Sequence, residues 1–197
     1  MMKLITLALW IAAPLLAQEG FTPLFNSKDL AGWEIDTPGL WQVRDGVVTG
    51  KSSGLKYNDF LRTKKSYSDF VLKLSFRLVN GEGNSGIQFR SKRAPEFVVS
   101  GYQADAAEGN WWGSLYEERG RGVLVNGWKG KGETVVKAND WNQYEIIARG
   151  NHIELKLNGL VTAELEDDKA RDGIIALQLH QGPAMQVEFR NIKLKKF

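Results

Sequence analysis

Phe70-Val71-Leu72-Lys73-Leu74-Ser75-Phe76-Arg77-Leu78 decides the fold, because Phe70, Leu72, Leu74, Phe76 and Leu78 alternate with Val71, Lys73, Ser75 and Arg77. Successive side chains of an extended chain point to opposite faces, so this period of two describes a strand with one buried face. The same alternation returns at Ile153, Leu155 and Leu157 against His152, Glu154 and Lys156. It returns again at Ile175, Leu177 and Leu179 against Ala176, Gln178 and His180. Both read as half-buried strands. Asp45-Gly46, Gly150-Asn151 and Asn158-Gly159 separate strand-like runs, and these residue types tolerate the positive φ of tight hairpin turns. No run of twelve or more residues carries a helical stripe, so at most a turn or two of helix is expected, around 106–110 or 167–171. Short strands in antiparallel hairpins predict an all-β chain folded as a sandwich or barrel.

The first seventeen residues read as an export signal instead of part of this fold. Lys3 gives a positive start, an apolar run follows to Leu16, and a small residue precedes Gln18. Cleavage is expected near Ala17, leaving residues 18–197 as one exported domain, periplasmic or secreted, with no membrane attachment. The chain has 26 basic residues, one of them Lys3, against 23 acidic ones. That balance gives no argument for nucleic acid or an anionic membrane as partner. There is no cysteine, which excludes disulfides, thiolate metal sites, a cysteine nucleophile and a lipid carried on cysteine. Two histidines cannot supply a three-imidazole zinc site. Oligomeric state is left open.

Alternation also places polar groups. With Ile87 and Phe89 inward, Gln88 and Arg90 face the other way, and Gln103 with Asp105 and Gln178 with His180 do likewise on two further strands. If the strands are neighbours, these six residues make one concave polar patch. Amides, a guanidinium, a carboxylate and an imidazole supply the directional donors and acceptors that sugar hydroxyls need. The stretch 106–132 breaks the pattern with Trp111, Trp112, Tyr116, Glu117, Glu118 and Arg119 among glycines, and long insertions of this kind often carry function. Trp111 and Trp112 offer apolar platforms for a pyranose ring. Gly81, Gly83 and Gly86 match a dinucleotide-binding spacing, but a strand follows instead of a helix, so no helix N-terminus is there to hold a pyrophosphate. His152 and the acids Glu164 and Glu166 read as solvated surface.

Several segments in order resemble one family. They are Phe21-Thr22-Pro23-Leu24-Phe25-Asn26, Asp29-Leu30-Ala31-Gly32-Trp33, Gly83-Asn84-Ser85-Gly86-Ile87-Gln88-Phe89-Arg90 and Gly101-Tyr102-Gln103-Ala104-Asp105. They continue through Gly113-Ser114-Leu115-Tyr116-Glu117-Glu118-Arg119, Asp140-Trp141-Asn142-Gln143-Tyr144, Leu157-Asn158-Gly159 and Phe189-Arg190-Asn191-Ile192. The chain is thus similar, over nearly its whole length after the signal, to the 3-keto-disaccharide hydrolase domain family. The resemblance implies a concanavalin A-like jelly-roll sandwich and a glycoside substrate oxidised to a ketone at carbon 3. The ketone acidifies the carbon 2 proton; a base removes it, the aglycone leaves carbon 1, and water then adds.

For that chemistry the candidate catalytic residues are His180 as base, since imidazole titrates near neutral pH, with Asp105 or Glu117 next. Arg90, Gln103 or a divalent metal would stabilise the enolate, and Glu117 or Glu118 would protonate the leaving group. Gln88, Arg90, Gln103, Trp111, Trp112, Glu118, Arg119 and Gln178 form the expected sugar-binding set. The sequence requires no cofactor, although a divalent metal is compatible with it. A non-catalytic carbohydrate-binding sandwich is the alternative, and a conventional two-carboxylate glycosidase ranks behind both.

Overall fold

A computed structural model describes residues 20–94 and 98–197; the segment read as an export signal lies outside them. In chain order the first strands are β1 (Thr22–Pro23), β2 (Trp33–Ile35), β3 (Trp41–Arg44), β4 (Val47–Ser52) and β5 (Asp59–Tyr67). Next come β6 (Phe70–Leu78), β7 (Asn84–Arg93), β8 (Val99–Ala107), β9 (Leu115–Glu118) and β10 (Gly122–Val125). The last are β11 (Asn142–Arg149), β12 (His152–Leu157), β13 (Leu160–Glu166), β14 (Gly173–Leu179) and β15 (Met185–Lys196). Among the described residues helix is confined to short turns at Val79–Gly81, Trp128–Gly132 and Glu133–Val135, not at the two places the sequence allowed. Among the described residues no helix is long and apolar enough to cross a membrane.

The strands form two antiparallel sheets packed face to face. The back sheet runs β13-β12-β11-β6-β15-β4-β3, with β1 on β15; the front sheet runs β10-β9-β8-β7-β14-β5-β2. The deciding stretch is β6, at the middle of the back sheet, and its five alternating apolar residues are all buried. They meet Ile87, Phe89, Tyr102, Ala104, Ile175, Leu177 and Leu179 of the front sheet in one core cluster. Phe76 stacks on Phe189 at 4.9 Å between ring centroids and lies 5.2 Å from Trp112, aromatic spacings that add to simple burial. The hairpin turns fall where expected: Asp45 and Gly46, and Asn158 and Gly159, all have positive φ.

Two features differ from the sequence reading. The stretch 106–132 is not wholly an insertion, because β9 and β10 within it extend the front sheet to its edge. Strand β14 is buried on both faces, not one: Ile174 and Ala176 on its outer face join Phe60 and Val99 in a second apolar cluster. Its interior position between β7 and β5 explains this, since a curled sheet shields its inner strands from water on the hollow side.

Candidate functional site

The outer face of the front sheet carries a buried chain of polar side chains. Inward-facing Ile87, Ala104 and Leu177 leave Gln88, Gln103, Asp105 and Gln178 on the other face, on the neighbouring strands β7, β8 and β14. Gln88 sits opposite Gln103 in the ladder. Ser91 Oγ donates to Gln88 Oε1 (2.8 Å), Gln88 Nε2 to Gln103 Oε1 (2.5 Å), and Gln103 Nε2 to Asp105 Oδ1 (3.0 Å). The donors therefore all run towards one carboxyl group. Room for the chain comes from Gly86, where a Cβ would lie 2.5 Å from Gln103 Cδ.

Asp105 is fixed from below as well. Tyr144 of β11 reaches through the core, its hydroxyl donating to the Asp105 carbonyl and accepting from the Gly113 N–H at 2.8 Å. Burial, with a smaller push from the nearby Glu118 charge, raises the Asp105 carboxyl to about 7 against the opposing hydrogen bonds from Gln103 and the Ala106 N–H. A carboxyl group poised there can hold or give a proton at neutral pH.

Around this floor stand Tyr116, Glu118, Asn58 and His180, all partly exposed. Glu118 of β9 meets the Asn58 amide at 3.4 Å, although β8, β7 and β14 separate β9 from β5 in the sheet. The sheet curls enough for its two sides to touch across the hollow. Burial raises the Glu118 carboxyl, while the charges of His180 and Arg119 and the amides of Asn58 and Gln178 pull it back. His180 follows β14, and its Nδ1 contacts the Gln181 carbonyl. A carbonyl only accepts, so this contact assigns the hydrogen to Nδ1 and leaves Nε2 as the basic nitrogen of the neutral ring. Beside it opens a cleft of about 520 Å³ lined by Asn84, Glu108, Trp111, His180, Pro183 and Met185. Glu108 pins the cleft's glycine loop by accepting from the Gly83 N–H (3.1 Å).

Five of the six residues expected on one patch thus lie on or beside this hollow: Gln88, Gln103, Asp105, Gln178 and His180. Arg90 does not. Its φ of 45° and the register slip between Phe89 and Lys92 mark a bulge that reverses the alternation there. The fully buried guanidinium instead donates to the carbonyls of Ser68 (2.7 Å), Gly150 (2.8 Å) and Ala170 (3.4 Å) and pairs with Asp69 (2.8 Å). It clamps three loops and has no role in the hollow. Glu117 is also misplaced by the sequence reading. It pairs across with inward-facing Tyr102 and forms ion pairs with Arg121 and Lys169. Burial alone would raise its carboxyl, but those cations outweigh it and hold the group below its ordinary value, so it is a poor proton donor. Trp112 is core, lying parallel to Tyr144 at 6.5 Å between centroids, and offers no platform; Trp111, 37% exposed, does. Arg119 stands exposed at the β9–β10 turn, and its charge is felt by Glu118.

Sequence reasoning passed over Asn58, Asn84 and Glu108. Their one signal is position, a polar residue just before or at the start of a strand or just after its end, and that signal is shared with ordinary surface residues. Among the described residues one trio of potential metal ligands converges within 4.8 Å, His152, Glu154 and Glu164, on the back sheet and away from the hollow. A groove of about 990 Å³ also lies on the back sheet, between Phe21, Lys73, Glu145 and Lys156. Its charges are already paired, Lys73 with Glu145 (2.8 Å) and Lys156 with Glu154 (3.0 Å), so the front hollow is the chemically stronger candidate.

A family profile described as a 3-keto-alpha-glucoside-1,2-lyase-like domain matches residues 20–195. No curated protein matches the sequence. Among solved structures, a candidate glycosyl hydrolase from Parabacteroides distasonis is similar at 21% identity and a TM-score of 0.66, covering 91% of this chain and 94% of that one. The carbohydrate-binding module CBM66 from Bacillus subtilis gives 19% identity and a TM-score of 0.66, over 84% of this chain and 96% of that one. A Bacillus licheniformis β-glucanase gives 11% and 0.63, over 90% and 97%. These likenesses establish the jelly-roll sandwich.

Proposed function

The chain belongs to the 3-keto-alpha-glucoside-1,2-lyase-like domain family, and from that premise we propose that it cleaves 3-keto-glycosides by elimination followed by hydration. The observation that carries the reading is the buried Gln88–Gln103–Asp105 chain, ending in a carboxyl group raised to about 7 beside Glu118 and His180. His180 Nε2 takes the carbon 2 proton, and the electron pair passes to the ketone oxygen as an enolate. Protonated Asp105 donates a hydrogen bond to that oxygen, as a neutral buried carboxylic acid does at other enolate-forming sites. The enolate collapses to break the carbon 1–oxygen bond, and Glu118 gives its proton to the departing oxygen. Water then adds: its hydroxyl goes to carbon 1, its proton returns to Glu118, and His180 returns its proton to carbon 2. The balance is hydrolysis. Trp111 and the cleft beside His180 receive the leaving sugar. A divalent metal would supply the enolate with charge stabilisation as a Lewis acid, and turnover would then be lost in chelator.

Purified protein would be incubated with one disaccharide in its 3-keto and unoxidised forms, with and without chelator. Cleavage of the oxidised form alone is expected, with turnover lost in His180→Ala. Near-full turnover by that variant would refute the base assignment. Binding of both sugars without cleavage would favour the second reading, a carbohydrate-binding module, which the likeness to CBM66 supports. Export completes the proposal: the protein recovered outside the cytoplasm is expected to begin near Gln18, which N-terminal sequencing checks.

A further inference from the structure

Three glutamines share the outer face of the front sheet, and they are not equivalent. The side-chain oxygen and nitrogen of Gln103 are both engaged, by Gln88 and Asp105, and those of Gln88 by Ser91 and Gln103. Gln178 is just as deeply buried, at 0% exposure, yet neither Oε1 nor Nε2 has a hydrogen-bond partner. Ser85 Oγ bonds its backbone carbonyl at 2.6 Å and leaves the amide untouched. Glu118 lies close enough to feel the amide, but not in a geometry that completes a hydrogen bond. Native interiors rarely leave a whole amide unpaired, because each buried donor or acceptor without a partner is costly. An empty amide beside Asp105, Glu118 and His180 is a group waiting for a ligand.

We propose that Gln178 reads the oxidised carbon of the sugar, donating from Nε2 to the ketone oxygen and accepting at Oε1 from the neighbouring hydroxyl. This rests on the 3-keto-glycoside reading of the same hollow. A primary amide presents a donor next to an acceptor, and an α-hydroxyketone presents an acceptor next to a donor, so the two are complementary. The Nε2 contact strengthens as the ketone oxygen gains charge in the enolate, and Gln178 therefore contributes to turnover as well as to binding.

Gln178→Met keeps the shape and removes both polar atoms. Without sugar, its unfolding temperature is expected to rise by about 2–8 °C, because an unpaired buried amide has been replaced by an apolar chain. A 3-keto-glucoside should raise the unfolding temperature of the wild type but not of the variant, whose kcat/KM should fall a hundredfold or more. A fall in the variant's unfolding temperature would overturn the assignment, since the amide would then be paired in the free protein. So would an undiminished response to the keto-sugar. A wild type that responds to no 3-keto-glucoside would overturn the substrate reading itself, and the variant's sugar-free temperature separates that failure from the others. Gln178→Leu repeats the measurement if the methionine variant does not fold.

Discussion

Replacing Asp105 by Asn should make this protein more stable, and increasingly so as the pH rises. The carboxyl releases its proton near 3.8 in an unfolded chain but holds it to about 7 when folded, chiefly because burial penalises the charge. Between those values the native state binds more protons than the unfolded one, so stability falls as pH rises through this window. Each tenfold change corresponds to 1.36 kcal/mol, and the full loss above pH 7 is about 4 kcal/mol. Asparagine keeps an oxygen to accept from Gln103 and from the Ala106 N–H, and it carries no charge to desolvate. Urea unfolding of both proteins from pH 4 to pH 8 isolates the effect, because the other carboxylates contribute nearly equally to each and cancel. The difference should be near zero at pH 4 and grow in favour of the variant to about 4 kcal/mol at pH 8. Glu118 is linked, since its charge raises Asp105, so Glu118→Gln should shrink the difference. Parallel stability profiles for wild type and Asp105→Asn would refute the claim that the fold holds this group protonated. The same variant should lose turnover of a 3-keto-glycoside, which makes Asp105 a residue retained at the expense of stability.

The other predictions contrast structural with chemical residues. Arg90→Met should lower stability by about 3–5 kcal/mol, because it leaves Asp69 and three loop carbonyls without their donor; a urea midpoint within experimental error of wild type would contradict the clamp. Trp112→Ala should cost about 3–5 kcal/mol by opening a cavity against Phe76, whereas Trp111→Ala should leave the unfolding temperature nearly unchanged and weaken sugar binding measured by calorimetry. Gly86→Ala should displace Gln103 from Asp105, seen as a lowered activity and a shifted pH profile for turnover. Glu117→Gln should leave turnover little changed and reduce stability by about 1 kcal/mol or less, as partly exposed ion pairs do.

The motifs that carry the family likeness serve mostly to shape the fold. Asn26 accepts from the N–H groups of Lys28 and Asp29, and Asp29 accepts from that of Ala31, which closes the turn leading to Trp33. Asn142 binds both the N–H and carbonyl of Lys137 and accepts from Asn158, so Asp140-Trp141-Asn142 and Leu157-Asn158-Gly159 are two sides of one joint. Such residues are readable from sequence because turn chemistry is local. The Gly83 to Arg90 segment holds both kinds: Gln88 on the face of the hollow and Arg90, two positions on, clamping loops behind it.

Alternation alone determined that this chain is an all-β sandwich or barrel and that Gln88, Gln103, Asp105, Gln178 and His180 face away from the core on their strands. The family resemblance pointed to the jelly roll, and the strand order made these residues neighbours. A strand's side-chain period is a local property of the extended backbone, so apolar and polar positions declare their faces without any knowledge of neighbours. Only the tertiary structure decided that Arg90 turns away, that Glu117 is tied up in ion pairs, that Trp112 is core and that β14 is buried on both sides. One residue in the left-handed region reverses a face, and the curl of a sheet brings Asn58 to Glu118 across three strands. Bulges and curl arise from the packing of strands far apart in the chain, and no window of sequence contains them.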